Sequence, residues 1–135
     1  MTEDKKQINV SAAVMQKDGK FFVAKRKSDK STLAGFWEFP GGKIEAEESP
    51  EECLRRELQE EFEIDTKIFE LLINYTHDYD FAQINFSVYR VEHLSGDFIP
   101  SDHDDMKWLE ISEFDQYDFA PADYPIIEHL KGLEF

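Results

Sequence analysis

Glu57, Glu60 and Glu61 stand at i, i+3 and i+4 in the run Arg55-Arg56-Glu57-Leu58-Gln59-Glu60-Glu61. On a helix turning about 100° per residue, the three carboxylates share an arc of roughly 100°. Leu54, Leu58 and Phe62 fall beside that arc as an apolar stripe. Like charges placed this way repel, each pair costing roughly 0.2–0.5 kcal/mol in water. Arg55 and Arg56 lie to one side of the arc and do not pair with all three. Hard oxygen donors gathered on one face suit magnesium or manganese, whose charge cancels the repulsion. The plain alternative is an exposed acidic face.

Other residues of chemical interest are scattered along the chain. Gly41-Gly42 follows an aromatic segment and lets the backbone come close to a ligand or metal. Ser101-Asp102-His103-Asp104-Asp105 is a second acidic run, for which solvation is the simplest reading. Asp123, in Ala120-Pro121-Ala122-Asp123-Tyr124-Pro125, suits a helix N-cap. Ionised, its carboxylate would only accept hydrogen bonds. His77, His93, His103 and His129 show no metal-like spacing and read as surface or loop residues, with His103 the candidate exception. Cys53 falls on the carboxylate side of the helix without a base partner, so no nucleophile is expected there.

These residues need elements to hold them. Segments 8–16 and 21–25 read as strands joined through Lys17-Asp18-Gly19-Lys20, an Asp-Gly turn. Segment 36–39 is a short aromatic strand that stops at Pro40. Segment 49–62 is the clearest helix: Ser49 caps it, Pro50 suits the first turn, and Glu52 completes a Ser-x-x-Glu capping box. Segments 67–75, 83–91 and 106–110 read as strands. Segment 122–133 reads as a helix with Ile126, Ile127, Leu130 and Leu133 on one face. This order predicts an α/β (α+β) fold with a mixed β-sheet sandwiched between helices.

The bulk properties fit one domain spanning residues 1–135, with 41% hydrophobic residues to fill a core. No apolar run approaches the ~20 residues of a membrane span, and the charged start lacks a signal-peptide core. A single cysteine suggests a reducing, cytoplasmic setting. A net charge of -15 argues against nucleic acid and anionic membranes as partners. A divalent cation can still bridge such a protein to a phosphate. A monomer is expected.

Written out, the central segment is Gly42-x5-Glu48-x7-Arg56-Glu57-Leu58-x-Glu60-Glu61-x-x-Ile64. It resembles the signature of the Nudix hydrolases, Gly-x5-Glu-x7-Arg-Glu-apolar-x-Glu-Glu-x-Gly-apolar. The departure is Glu63, where the family has the glycine that ends the helix. A left-handed residue with a side chain costs roughly 1 kcal/mol there, so a strained or differently closed helix end is predicted. The resemblance covers nearly the whole chain, and the stretch from Gly35 to Glu45 is similar to the MutT-like branch. That branch includes nucleotide-pool sanitisers and (deoxy)cytidine triphosphate pyrophosphohydrolases.

The resemblance implies the Nudix fold and a Mg2+-dependent (or Mn2+-dependent) hydrolase cutting a nucleoside triphosphate to monophosphate and pyrophosphate. It implies Glu57, Glu60 and Glu61 as metal ligands, with the Gly41 carbonyl. Arg56 would hold the glutamates, Glu48 would brace the loop or join the metal shell, and Gly42 would support the site. Asp102, six residues before Trp108, matches a loop acid that reaches the metal site and stands with the helix glutamates as a general-base candidate. Arg26 matches a phosphate contact. Glu38, Phe39, Tyr79 and Asp123 match substrate-pocket positions, with 8-oxo-dGTP, CTP, dCTP and 5-methyl-dCTP as candidate substrates. Two other readings are a nucleotide-binding regulator without turnover and a nucleoside diphosphate sugar hydrolase.

Overall fold

The structure, a computed structural model, describes residues 6–27, 34–101 and 103–132. β1 (Lys6–Lys17) starts with alternating exposure and then buries every residue from Ser11 to Met15. A run buried on both faces belongs inside a covered sheet. β1 pairs in parallel with β6 (Ala82–Ser95), Val10 facing Phe86 and Ala12 facing Val88. It also meets β4 (Gly41–Lys43) antiparallel and ends in a hairpin with β2 (Lys20–Arg26). Asp18 and Gly19 turn that hairpin with φ of 53° and 77°, the paired positive angles of a type I′ turn. β2 carries β3 (Trp37–Glu38) and β7 (His103–Leu109), while β5 (Asp65–Asp78) lies antiparallel against β6. The result is one seven-stranded mixed sheet.

Helices cover both faces. Successive strand residues point to opposite sides, so Val14, Phe21 and Val23 pack with Ile126, Ile127 and Leu130 of α2 (Tyr124–Lys131). Ala13, Met15 and Phe22 pack with Leu54, Leu58 and Phe62 of α1 (Pro50–Phe62). This is the sheet between helices that the segment order predicts. No helix among the described residues is long and apolar enough to cross a membrane.

α1 is closed at both ends by local chemistry. The Glu52 N–H donates to Ser49 Oγ at 3.1 Å, and the Ser49 N–H donates to Glu52 Oε1 at 2.8 Å. At the other end Glu63 is left-handed, φ 58° and ψ 39°, and its N–H donates to the Gln59 carbonyl at 3.0 Å. The helix therefore closes as a glycine would close it, with a side chain where none is favoured. The Ser101 N–H and hydroxyl then cap the Glu61 carbonyl, at 3.0 and 3.1 Å, and the hydroxyl also reaches the Glu60 carbonyl at 2.9 Å.

Several boundaries differ from the sequence expectation, and β7 starts at His103 rather than 106. β5 and β6 each run 14 residues, because backbone pairing continues past the apolar stretch to Asp65 with Ser95 and Asp78 with Gln83. The last helix starts at Tyr124 rather than 122, since Pro121–Asp123 form a 3-10 turn. A further 3-10 turn, Ile111–Gln116, buries Phe114 in the core. Leu133 lies outside the described residues.

Candidate functional site

A cleft opens between β1, β6, the β3–β4 segment and the turn before α2. Apolar walls from Val10, Ala12, Phe39, Ile84 and Phe86 surround the polar groups of Arg26, Glu38, Glu61, Tyr79, His103 and Asp123, with the Gly41-Gly42 backbone alongside. Asp123 is 5% exposed, and its Oδ2 accepts the Phe39 N–H at 2.9 Å. It is the N-cap residue of α2 by position, yet its side chain makes no cap hydrogen bond. The carboxyl faces the cleft instead. Burial, then the charge of Glu38, raises its pKa well above the ordinary 3.8. An acid in its protonated form can donate as well as accept. Two tyrosines fix the turn that carries it: Tyr75 donates to the Ala122 carbonyl at 2.6 Å, and Tyr79 Oη accepts the Ala122 N–H at 3.1 Å.

α1 brings its carboxylates to the β4 edge of the cleft. The Arg56 guanidinium gathers them. Its Nε and Nη2 donate to Glu48 at 2.7 and 2.9 Å, a two-pronged pair, while Nη1 donates to Glu57 at 3.0 Å and Glu60 at 3.2 Å. Arg56 thus reaches two of the three helix glutamates. Its hydrogen bonds, helped by the Glu45 N–H, hold Glu48 down at about 2. Burial raises Glu57, and Arg56 opposes it. Glu57 sits directly against Gly42, where a Cβ would lie 2.3 Å from the Glu57 Cδ. Only glycine leaves that carboxylate its place.

Known proteins share this arrangement's sequence and fold. Residues 10–129 match the family described as the NUDIX domain. The chain is 35% identical over 128 residues to a CTP pyrophosphohydrolase of Escherichia coli strain K12, covering 95% of this chain and 94% of the relative. It is 45% identical over 89 residues to an 8-oxo-dGTP diphosphatase of Proteus vulgaris, covering 65% of this chain and 79% of the relative. The solution structure of the E. coli ORF135 protein aligns with a TM-score of 0.84 at 35% identity, over 96% of this chain and 91% of that one.

The chain belongs to the Nudix family. Nudix hydrolases generally need a divalent metal, and the donor set beside the cleft fits one. Glu57, Glu60, Glu61 and a glycine carbonyl offer hard oxygens only, and the Gly42 cradle keeps Glu57 at the cleft edge. Among the described residues no three carboxylate, imidazole or thiol side chains already converge on one point. Glu57 and Glu60 instead both face Arg56 Nη1, at 3.0 and 3.2 Å.

The structure brings Arg26, Glu38, Phe39, Gly41, Gly42, Glu61, Tyr79 and Asp123 together around the cleft. Glu48, Arg56, Glu57 and Glu60 form the adjoining cluster, with the Glu60 side chain 58% exposed. Arg26 points its Nη1 at Glu38, 3.1 Å away. Asp102 lies outside the described residues. Cys53 is buried, donates weakly to the Gly42 and Lys43 carbonyls at 3.5 Å, and has its pKa raised by burial, as expected of an inert thiol.

Sequence reasoning assigns no role to three contributors, although it singles out His103 among the histidines. His103 is not a surface residue: it is 7% exposed, on β7, with Nε2 2.9 Å from Glu38. From sequence, Tyr75 is only a strand end, and the Ile84–Phe86 wall is only core-type alternation. That alternation, at i and i+2, is the signal for the wall. Tyr75 and His103 depend on partners far away in sequence, and no local pattern marks them.

Proposed function

We propose that this Nudix chain is a MutT-like, Mg2+-dependent nucleoside triphosphate pyrophosphohydrolase of the cytoplasm. It would convert a (d)NTP and water to (d)NMP and pyrophosphate. The observation that carries the reading is one juxtaposition. Arg56 holds Glu48, Glu57 and Glu60 together beside Gly42, and this cluster adjoins a cleft containing Glu38, Phe39, Tyr79 and Asp123. Glu57, Glu60, Glu61 and the Gly41 carbonyl would hold the metal, with Mn2+ as an alternative ion. The bound ion supplies charge neutralisation at the phosphate oxygens and a lowered pKa for water.

The remaining roles fall to the chain itself. Arg56 orients the glutamates through charge-assisted hydrogen bonds, and Glu48 braces Arg56 and the loop. Arg26 has the charge and position to turn from Glu38 to a phosphate oxygen. Phe39 and Tyr79 wall a flat base, and Asp123 with Glu38 meets its polar edge. Asp102 or a helix glutamate serves as the general base. The relatives named for CTP and for 8-oxo-dGTP suggest the bases to try first.

The test is release of monophosphate and pyrophosphate from 8-oxo-dGTP, CTP, dCTP, 5-methyl-dCTP, dGTP and ADP-ribose with Mg2+. One triphosphate should react far faster than the others, and EDTA should abolish the reaction. Glu60→Gln should lower kcat on the order of 100-fold. Tight binding of a nucleotide without turnover would instead mark a regulator.

A further inference from the structure

Glu38 is held from two sides. Arg26 Nη1 donates to its Oε1 at 3.1 Å, and His103 Nε2 stands 2.9 Å from its Oε2. The sheet explains the convergence. Glu38 pairs with Ala24, and Arg26 lies two residues along β2 on the same face. Unbroken pairing with β7 would set Asp104 opposite Arg26. The register instead shifts between Lys25 and Arg26, so that Lys25 faces Asp105 and Arg26 faces His103. This bulge brings His103 to the Glu38 face, where Ala24 is small and buried.

The two holders differ in exposure. The Arg26 side chain is 33% exposed, whereas that of His103 is 2% exposed. The His103 ring stacks on Phe62 at the end of α1, centroids 5.1 Å apart and planes 20° from parallel. Its Nδ1 is buried with no hydrogen-bond partner among the described residues. A buried orphan N–H is rarer than an orphan lone pair. The hydrogen-bond network therefore assigns the proton to Nε2, aimed at Glu38.

We propose that His103 is a positioning residue for substrate recognition: its Nε2–H fixes the Glu38 carboxylate at the cleft wall, and keeps it there when Arg26 turns toward a polyanion. The proposal rests on the reading of the cleft as a nucleotide site. It assigns His103 to binding and not to the hydrolytic step.

The experiment compares wild type, His103→Leu and His103→Gln on the nucleotide the wild type turns over best. Leucine keeps the bulk and loses the donor, while glutamine returns an N–H at the reach of Nε2. KM should rise about tenfold in His103→Leu with kcat within about twofold. His103→Gln should recover KM to within about threefold of wild type. If Leu and Gln behave alike, or if kcat falls while KM stays, the proposal is overturned. Should His103→Leu not fold, long-range 1H–15N spectra decide on wild type and Glu38→Gln. His103, assigned by its loss in His103→Gln, should show the Nε2–H tautomer and an Nε2 signal that moves in Glu38→Gln. An Nδ1–H tautomer, or a signal indifferent to Glu38→Gln, overturns it too. These spectra need no substrate, so a wild type inert to every nucleotide would sink the hydrolase reading while the link to Glu38 is judged separately.

Discussion

Asp123 sets recognition against stability. Its carboxyl is shut away from water, and the one hydrogen bond resolved to it among the described residues comes from a neutral backbone N–H. Such a bond replaces little of the hydration a charge loses. In the unfolded chain the group ionises near 3.8, while the fold holds its proton to higher pH. The native state thus binds more protons, and stability falls as pH rises above 3.8 through the raised folded value. Asp123→Asn keeps an acceptor for Phe39 and never ionises. At pH 7 it should be more stable than wild type. Below the unfolded value the two should converge. Urea unfolding at both pH values checks this, and an equal gap at both would point to packing instead of charge. Gly42 gives a second prediction at this scale. A methyl there would land 2.3 Å from the Glu57 Cδ, so Gly42→Ala must displace the carboxylate. A shift of about 1 Å at a reacting centre can cost on the order of 100-fold. Turnover in Gly42→Ala should fall by that order with the circular dichroism spectrum unchanged; wild-type kcat would show that Glu57 is not needed where it stands.

At the scale of elements, α1 carries the cluster, and its two ends make opposite predictions. Ser49→Ala removes a capping hydroxyl and should cost about 1 kcal/mol. Glu63→Gly relieves a side chain at φ 58° and should gain roughly 1 kcal/mol. Thermal unfolding of both variants tests the pair, and a destabilised Glu63→Gly would mean that the glutamate side chain contributes contacts worth more than the strain. Both ends are legible in the sequence because helix caps and the Asp18-Gly19 turn are written in adjacent residues. The strand lengths are not. β5 and β6 extend through polar residues whose pairing partners decide the matter, and the bulge at the start of β7 exists only because β2 lies beside it. The same distinction divides the site. Gly42, Glu57 and Glu60 can be read from spacing along one loop and helix, whereas the Arg56 clamp on two of the helix glutamates needs the guanidinium's reach. His103 needs the bulge, Phe62 and Glu38 together.

Across the whole molecule, 30 acids stand against 15 bases, giving a net charge of -15. Self-repulsion of that size destabilises a compact state and is relieved by any salt that screens it. A specific divalent site adds something that screening does not. An ion bound to the native state alone stabilises by RT ln(1 + [L]/Kd), about 2.7 kcal/mol at 100 times Kd. With Glu57, Glu60 and Glu61 as the ligands, MgCl2 should raise the Tm of wild type more than NaCl at the same ionic strength. The excess should disappear in the double variant Glu57→Gln, Glu60→Gln. The variant also removes two charges from an overcharged surface, so its Tm in NaCl alone serves only as its own baseline. The deciding quantity is the Mg2+ excess. Equal rises in the two salts for wild type would reduce the acidic face of α1 to ordinary surface charge, and the metal-dependent reading of the cleft would fall with it.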